Sequence, residues 1–101
     1  MAQTLIWSRE ALDDIDRIAE HISKDSRYYA QQVVEHLFDL ANELPAHPKL
    51  GRIVPELADS NVRERFLYSY RLIYELTDKE IHILAVIHGK RLLESVERFK
   101  P

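Results

Sequence analysis

The sequence predicts an α+β fold with a short N-terminal strand, an antiparallel two-helix hairpin, a three-stranded antiparallel sheet and a short C-terminal helix. Before residue 45, two successive segments repeat apolar residues at steps of three and four, as amphipathic helices do. After residue 61, three β-prone segments follow one another. A chain of 101 residues suffices for one compact domain, so we expect residues 1–101 to form a single domain.

The first two elements are a strand and a helix. Gln3 to Trp7 is short, apolar and β-prone, and Ser8 is a good N-cap for the helix that follows. We expect the indole of Trp7 to fill core space at the end of the strand. The acidic residues of this helix, Glu10, Asp13, Asp14, Asp16 and Glu20, are expected on its solvated face, with a partner surface as the alternative. The expected core stripe is Leu12, Ile15, Ala19 and Ile22.

A second helix follows at once. Ser26 is its expected N-cap, and Pro45 ends it because proline cannot continue a helix. The short link between the two segments predicts an antiparallel hairpin. The apolar stripe of the second helix consists of Ala30, Val33, Leu37, Leu40, Ala41 and Leu44.

The second half of the chain predicts a loop and three strands. Residues 45–61 contain three prolines and one glycine, and we expect an exposed loop with a small turn near residues 55–57. Strands are expected at Val62–Leu67, Tyr70–Leu76 and Ile81–His88, the last two joined as a hairpin. Helical spacing predicts a C-terminal helix from Lys90 to Phe99, on the residues Leu92, Leu93, Val96 and Phe99.

Pairing the hairpin from Leu76 opposite Ile81 predicts which face the helices cover. That face would carry the pairs Tyr74–Ile83, Leu72–Ala85 and Tyr70–Ile87. The open face would carry Arg71 with Val86, Ile73 with Leu84 and Glu75 with His82, and His88 would lie diagonal to Arg71.

The turn before the second strand decides where Arg63 and Arg65 point. A two-residue turn at residues 68–69 aims both side chains at the helices, and a three-residue turn aims them at the open face. Because burying two unpaired guanidiniums costs several kcal/mol, we expect the three-residue turn. The expected result is a cationic patch on or beside one face, or else an ion-pair network with Glu75. Its members would be Arg63, Arg65, Arg71, His88, Lys90 and Arg91.

Metal and cofactor chemistry is not expected. Cysteine is absent, so cysteine-ligated metals are excluded, and the five histidines (21, 36, 47, 82 and 88) lack the paired spacing of metal sites. There is no glycine-rich phosphate loop and no nucleophile elbow. No apolar run approaches the ~20 residues that cross a bilayer, and no secretion signal is visible. We therefore expect a cytoplasmic protein with no membrane partner. The net charge of −3 argues against a general nucleic-acid binder.

Several phrases of the sequence resemble the RelE/ParE superfamily of toxins from type II toxin–antitoxin modules. They are Gly51–Leu57, Asn61–Glu64, Ser69–Tyr74 (Ser-Tyr-Arg-Leu-Ile-Tyr) and Ile83–Arg91, which ends in Ile-His-Gly-Lys-Arg. The resemblance covers nearly the whole chain. It implies a growth-inhibiting toxin, a cognate antitoxin that wraps it, and contact with operator DNA only through that antitoxin.

The superfamily contains two mechanisms. RelE-like members cut mRNA on the ribosome, and ParE-like members inhibit DNA gyrase without catalytic residues of their own. By resemblance, Arg71 matches the arginine at the scissile phosphate of the nucleases, Arg91 matches a second arginine, and Arg63 and Arg65 match basic positions with a one-residue shift. Where such nucleases have a catalytic tyrosine, this chain has Glu97, and no Tyr or His follows His88.

The missing aromatic acid–base and the acidic net charge favour the gyrase-directed branch, because arginine is a poor proton shuttle and ribosomal RNA rewards a basic surface. Under this hypothesis the chain is not an enzyme. The alternatives are a ribosome-dependent mRNA endonuclease, with the ribosome and mRNA as partners, and a non-toxic module that binds the antitoxin. Target contacts are expected among Arg63, Arg65, Arg71, His88, Lys90 and Arg91, and antitoxin contacts among Leu12, Ile15, Val33 and Leu37.

Overall fold

The computed structural model describes residues 3–91, 93 and 96–99. The elements are β1 (Thr4–Trp7), α1 (Arg9–Ser23), α2 (Arg27–Asn42), β2 (Arg52–Ile53), β3 (Val62–Leu67), β4 (Tyr70–Leu76), β5 (Glu80–His88) and a 3₁₀ turn at Glu97–Phe99. One sheet has the strand order β1-β5-β4-β3-β2, in which β1 runs parallel to β5 and all other pairs are antiparallel. The α+β class is confirmed. The sheet has five strands and not the predicted three, because β1 joins it and because it includes β2, which the sequence does not predict.

Both predicted helix caps are present. The Ser8 hydroxyl accepts from the amide of Ala11 at 3.1 Å, and the Ser26 hydroxyl accepts from the amide of Tyr29 at 3.0 Å. α2 ends at Asn42, ahead of the predicted stop at Pro45. Within the described part of the chain, neither helix is long and apolar enough to cross a membrane.

The buried face of α1 differs from the predicted stripe. Ala11 and Ile15 are buried, whereas Leu12 is 40% exposed. Ile18 and Ile22 pack beside them against the main core. Two of the four predicted positions, Ile15 and Ile22, therefore face the core, and the buried face is displaced toward Ala11 and Ile18, which places Asp14 on the buried side.

The segment 45–61 is more than an exposed loop. It contains β2, and Val54 is fully buried, so the prediction of an exposed loop is wrong at these positions. The predicted turn is confirmed by the hydrogen bond from the amide of Leu57 to the carbonyl of Val54. Gly51 permits the approach of β2 to β3, since a Cβ there would lie 2.5 Å from the carbonyl oxygen of Glu64.

A β-bulge changes the predicted pairing of β4 with β5. Leu76 pairs with Ile81 and Tyr74 with Ile83, as predicted, but Ile73 then pairs with Ala85. Leu84 is thus the extra residue, and every later partner shifts by one position. The predicted pairs Leu72–Ala85 and Tyr70–Ile87 are wrong, because Leu72 pairs with Val86 and Tyr70 with His88.

The bulge gives the sheet an apolar core on each face. The main core lies under the helices and includes Leu37, Tyr74 and Val86, with Trp7 packed against Phe38 at 4.8 Å between ring centroids. The second core lies on the other face, where Val54 and Leu93 cover it. Of the predicted C-terminal helix Lys90–Phe99, residues 92, 94 and 95 and the side chain of Glu97 lie outside the described residues, and the described part contains the 3₁₀ turn at Glu97–Phe99. The second core consists of Val54, Val62, Ile73, Ala85, Ile87, Leu93 and Val96.

Candidate functional site

The turn between β3 and β4 places the arginines of β3 on the helix side of the sheet. Leu67 pairs directly with Tyr70, so the turn has two residues, and Tyr68 takes a positive φ of 53° within it. The prediction of a three-residue turn is therefore wrong. Arg63 lies opposite Tyr74 and Arg65 opposite Leu72, on the face that the helices cover.

The guanidiniums of β3 escape the expected penalty because they find partners at the end of α2 and in the loop after it. Arg65 donates to the carbonyl of Leu40 at 3.1 Å and to the carboxylate of Glu43 at 3.0 Å. Arg63 donates to the carbonyl of Gly51 at 3.0 Å, while its Nε is buried with no hydrogen-bond partner among the described residues. Arg65 thereby caps the carbonyl end of α2, where a cation is favourable.

Arg71 lies on the opposite face, inside a cluster of four charged side chains. Its Nε and Nη2 donate to Glu64 at 2.7 and 2.6 Å, and its Nη1 and Nη2 donate to Glu56 at 2.9 and 3.0 Å. The Arg71 side chain is 5% exposed and that of Glu64 is fully buried. Arg52 completes the ion-pair cluster by donating to Glu64 at 2.7 Å while its guanidinium lies over the ring of Phe66. The cluster contains two arginines and two glutamates and is neutral.

The carboxylates around Arg71 stabilise its charged form. Burial by itself would lower the pKa of Arg71, but the hydrogen bonds and charges of Glu56 and Glu64 outweigh it and raise the pKa above its ordinary value. The hydrogen bonds from Arg71 in turn hold the pKa of Glu56 below its ordinary value, against a smaller effect of desolvation. All three nitrogens of the Arg71 guanidinium are thus engaged with carboxylates.

The end of β5 and the residues just after it form a separate group of basic residues. The bulge turns His88 to the helix side, opposite Tyr70, with 6.0 Å between the ring centroids. The predicted position of His88 on the open face, diagonal to Arg71, is therefore wrong. Lys90 and Arg91 are exposed just beyond the strand. The six basic residues predicted to share one face or its rim are divided among three places: the helix side of β3, the ion-pair cluster and the end of β5.

Asp14 is a site residue that sequence reasoning placed in solvent. Its side chain is 4% exposed and accepts from Arg98 through both oxygens at 2.8 Å, from the amide of Val86 at 2.9 Å and from Arg17. Arg98 also donates to the carbonyl of Leu84 at 2.8 Å. Asp14 and Arg98 thus satisfy backbone groups of Val86 and Leu84 in β5, beyond the residues of β5 that pair with β1. The helical spacing could have indicated this burial, because Asp14 lies three residues after Ala11 and four before Ile18, and both of these face the core.

The candidate antitoxin contacts lie at different depths. Ile15, Val33 and Leu37 are 4% exposed or less and belong to the main core, and Val33 also lines a pocket beside Tyr29. Leu12 remains accessible at 40%. A groove of about 660 Å³ runs between the helices, lined in part by Ala19, Ala30 and Val34.

No group of three or more His, Asp or Glu side chains within the described ranges is placed to hold a metal ion. His82 pairs across the sheet with Glu75, as predicted, and its Nε2 lies 3.1 Å from Glu80. Of the six basic residues that the sequence predicts for the patch, the three at and after the end of β5 are the exposed ones, because Arg63 and Arg65 are partly buried and Arg71 is enclosed by carboxylates.

Known proteins share both the sequence and the fold. Residues 5–93 match the family model for the ParE toxin of type II toxin–antitoxin systems, parDE. Toxin RelE2 of Caulobacter vibrioides is 32% identical over 93 residues, which cover 91% of this chain and 100% of that protein.

Two solved structures have the same fold. The chromosomal ParDE toxin–antitoxin system of P. aeruginosa contains a chain with a TM-score of 0.75 and 23% identity, covering 88% of this chain and 98% of that one. A chain of the toxin–antitoxin complex RelBE2 of Mycobacterium tuberculosis has a TM-score of 0.66 and 17% identity, covering 87% and 99%.

Proposed function

Since this chain belongs to the ParE toxin family of type II toxin–antitoxin systems, we propose that it arrests growth by inhibiting DNA gyrase. A cognate antitoxin holds it inactive. The target is a protein surface, and the chain performs no chemistry of its own on nucleic acid.

The observation that carries this proposal is the enclosure of Arg71. Cleavage of RNA needs a cation free to stabilise the charge that develops on the phosphate, and a group that moves a proton. Arg71 is the sheet arginine that resemblance assigns to the phosphate, and its guanidinium is already bound by Glu56 and Glu64. An incoming phosphate would compete with two carboxylates in a buried setting. No Tyr or His follows His88 in the chain.

The end of β5 is the proposed contact with gyrase. His88, Lys90 and Arg91 are exposed together beyond the covered part of the sheet. Clusters of exposed basic side chains steer association with an acidic protein surface. Arg63, Arg65 and Arg71 are engaged within the fold, so we assign them structural roles.

The antitoxin is proposed to lie along the groove between α1 and α2. The groove has apolar members, Ala19 and Val34, and Leu12 is an exposed apolar residue on α1. The relatives in P. aeruginosa and M. tuberculosis belong to ParDE and RelBE2 toxin–antitoxin systems. Contact with operator DNA would then come through the antitoxin, because the net charge of this chain is −3.

The test is supercoiling of relaxed plasmid by purified gyrase with increasing amounts of antitoxin-free protein. We expect loss of supercoiled product or accumulation of cleaved DNA. The variant Arg91→Gln should weaken inhibition, whereas Arg9→Gln, which removes an exposed arginine at the start of α1, should not. Unchanged supercoiling by a folded, growth-inhibiting protein would overturn the proposal.

Ribosome-dependent mRNA cleavage is the second candidate, favoured by the 32% identity with toxin RelE2. It predicts cut mRNA in a translating extract, and loss of cutting in Arg71→Ala under conditions in which circular dichroism shows that variant to be folded. If purified chain arrests translation with intact mRNA, this candidate fails. Absence of growth arrest despite confirmed soluble expression would favour the non-toxic, antitoxin-binding module.

A further inference from the structure

Two hollows meet at the end of β5. The cationic hollow, of about 240 Å³, is lined by Arg17, His21, Tyr70, His88 and Arg91, with Asp14 at its base. The tyrosine hollow, of about 450 Å³, is lined by Tyr29 and Tyr68. His21, Tyr70 and His88 line both, so the two hollows adjoin, and we call the pair the cleft. The cleft lies on the helix side, away from the ion-pair cluster of Arg71.

We propose that this cleft binds a free nucleotide, with the phosphate in the cationic hollow and the base against the tyrosines. The inference goes beyond the proposed action on gyrase and does not depend on it.

The charge of the cationic hollow suits an anion. Asp14 is its one acidic lining residue among the described residues, and that carboxylate is shared by Arg17 and Arg98. Arg17 and Arg91 are the two guanidiniums that line the hollow, and Arg98 helps to neutralise the single lining carboxylate from outside the lining. Glu10 and Asp13 lie near Arg98 and favour its charged form, which raises its pKa, but neither residue lines the hollow. Guanidinium groups bind phosphate through paired hydrogen bonds.

Two further polar side chains of the cationic hollow, His88 and Tyr70, can donate hydrogen bonds. The Nδ1 of His88 accepts from the amide of Lys90 at 3.2 Å, which assigns the ring proton to Nε2. Burial, with a smaller contribution from Tyr29, raises the pKa of Tyr70, so its hydroxyl keeps its proton at neutral pH. Two guanidiniums, an imidazole N–H and a phenol O–H therefore line a space in which the carboxylate is already bonded.

The tyrosine hollow offers faces for a base. Tyr29 and Tyr68 are 50% and 57% exposed, with ring centroids 6.4 Å apart and planes inclined by 40°. The Tyr68 ring is oriented by a 2.9 Å hydrogen bond between its hydroxyl and Nδ1 of His36. Bases stack on such rings without regard to sequence. Asp25 also lines this hollow, and the chain carries a net charge of −3, which disfavours a polyanion and favours a single nucleotide.

Calorimetric titration of the full, antitoxin-free chain tests the proposal, with 5′-AMP, adenosine and inorganic phosphate as probes. We expect 5′-AMP to bind about tenfold more tightly than either fragment, because only it fills both hollows. Equal binding of 5′-AMP and phosphate, or no binding of 5′-AMP at millimolar concentration, would overturn it. Affinity for a single-stranded oligonucleotide that rises with length would also overturn it, in favour of nucleic-acid binding.

Two substitutions in the cleft and two control substitutions outside it locate the site. Arg91→Gln should weaken 5′-AMP and phosphate alike, and Tyr29→Ala should weaken 5′-AMP by about tenfold while leaving phosphate unchanged. Tyr28, which directly precedes Tyr29 on α2, is 73% exposed and does not line either hollow. Tyr28→Ala and Arg9→Gln should therefore bind as the parent chain does. Equal losses in Tyr28→Ala and Tyr29→Ala, with circular dichroism unchanged in both, would contradict the assignment.

Discussion

Arg71 and Glu64 show how one buried ion pair fixes the chemistry of a face. Taking either charge out of water alone costs several kcal/mol, and the pair is tolerated because each satisfies the other at 2.6–2.7 Å. Glu56 and Arg52 add a second carboxylate and a second guanidinium at the margin. The same contacts that make Arg71 tolerable in the interior remove it from contact with an outside anion.

Removing the guanidinium should therefore destabilise the fold strongly. Arg71→Ala leaves the fully buried Glu64 without its main partner, and we expect the free energy of unfolding to fall by about 3–5 kcal/mol in urea titrations. Arg52→Ala is the matched control, because the Arg52 side chain is 61% exposed and its loss should cost less than about 1 kcal/mol. Equal effects of the two variants would contradict this account of the cluster.

Stability should depend on the ionisation of Glu56. Its pKa is lowered by Arg71 in the folded chain, so its contribution is fully present above the ordinary pKa of 4.5. The contribution is lost as the pH falls from there through the folded value. Urea titrations between pH 7 and pH 3 should show the parent chain more stable than Glu56→Gln at pH 7, with the difference shrinking below about pH 4.5. A difference that stays constant with pH would exclude a role for this charge.

At the scale of elements, β5 depends on a bulge and a side-chain cap. Leu84 shifts the register so that Val86 faces the helices while Ala85 and Ile87 face the second core. The amide of Val86 then points past the end of β1, where the carboxylate of Asp14 accepts from it at 2.9 Å. Arg98 brings the C-terminal segment to the same place.

Asp14 and its neighbour Asp13 make a matched pair of variants. Asp14→Ala leaves the amide of Val86 and two guanidiniums without their acceptor, and we expect a loss of about 2–4 kcal/mol in the free energy of unfolding. Asp13→Ala alters an exposed position on the same helix turn and should stay within about 0.5 kcal/mol. Comparable losses would mean that Asp14 contributes only as part of the acidic helix surface.

The elements were largely predictable and the registers only in part, since the β4–β5 pairs before the bulge are as predicted and those after it are not. β3 and β4 have the predicted bounds, and both serine caps hold, because apolar spacing and capping are local properties. The turn after β3 was misjudged because the cost assigned to buried arginines assumed that they had no partners. Leu40, Glu43 and Gly51 supply those partners from distant parts of the chain.

At the scale of the whole molecule, one sheet carries both cores. Ile73 of β4 belongs to the second core, and its neighbours Leu72 and Tyr74 belong to the main core. Losing either core therefore removes packing from the same strand, and the chain should unfold in one cooperative step.

The single tryptophan tests this coupling. Trp7 packs in the main core, so its fluorescence reports on the helix side of the sheet. Ile73→Ala, in the second core, should lower stability by about 2–5 kcal/mol and should move the Trp7 fluorescence and far-UV circular dichroism transitions equally. Transitions that separate would show that the two cores unfold independently.

The sequence by itself determined the fold class, the family resemblance and most element boundaries, because these follow from apolar periodicity, capping residues and short phrases that are local in the chain. The tertiary structure alone decided which cations are free. Arg71 is enclosed because the fold brings Glu56 and Glu64 to it, from 15 and 7 residues earlier in the chain. Asp14 can be buried because the fold brings Arg98 to it, from 84 residues later. The free energy of a buried charge depends on partners that only the folded chain brings within hydrogen-bond distance.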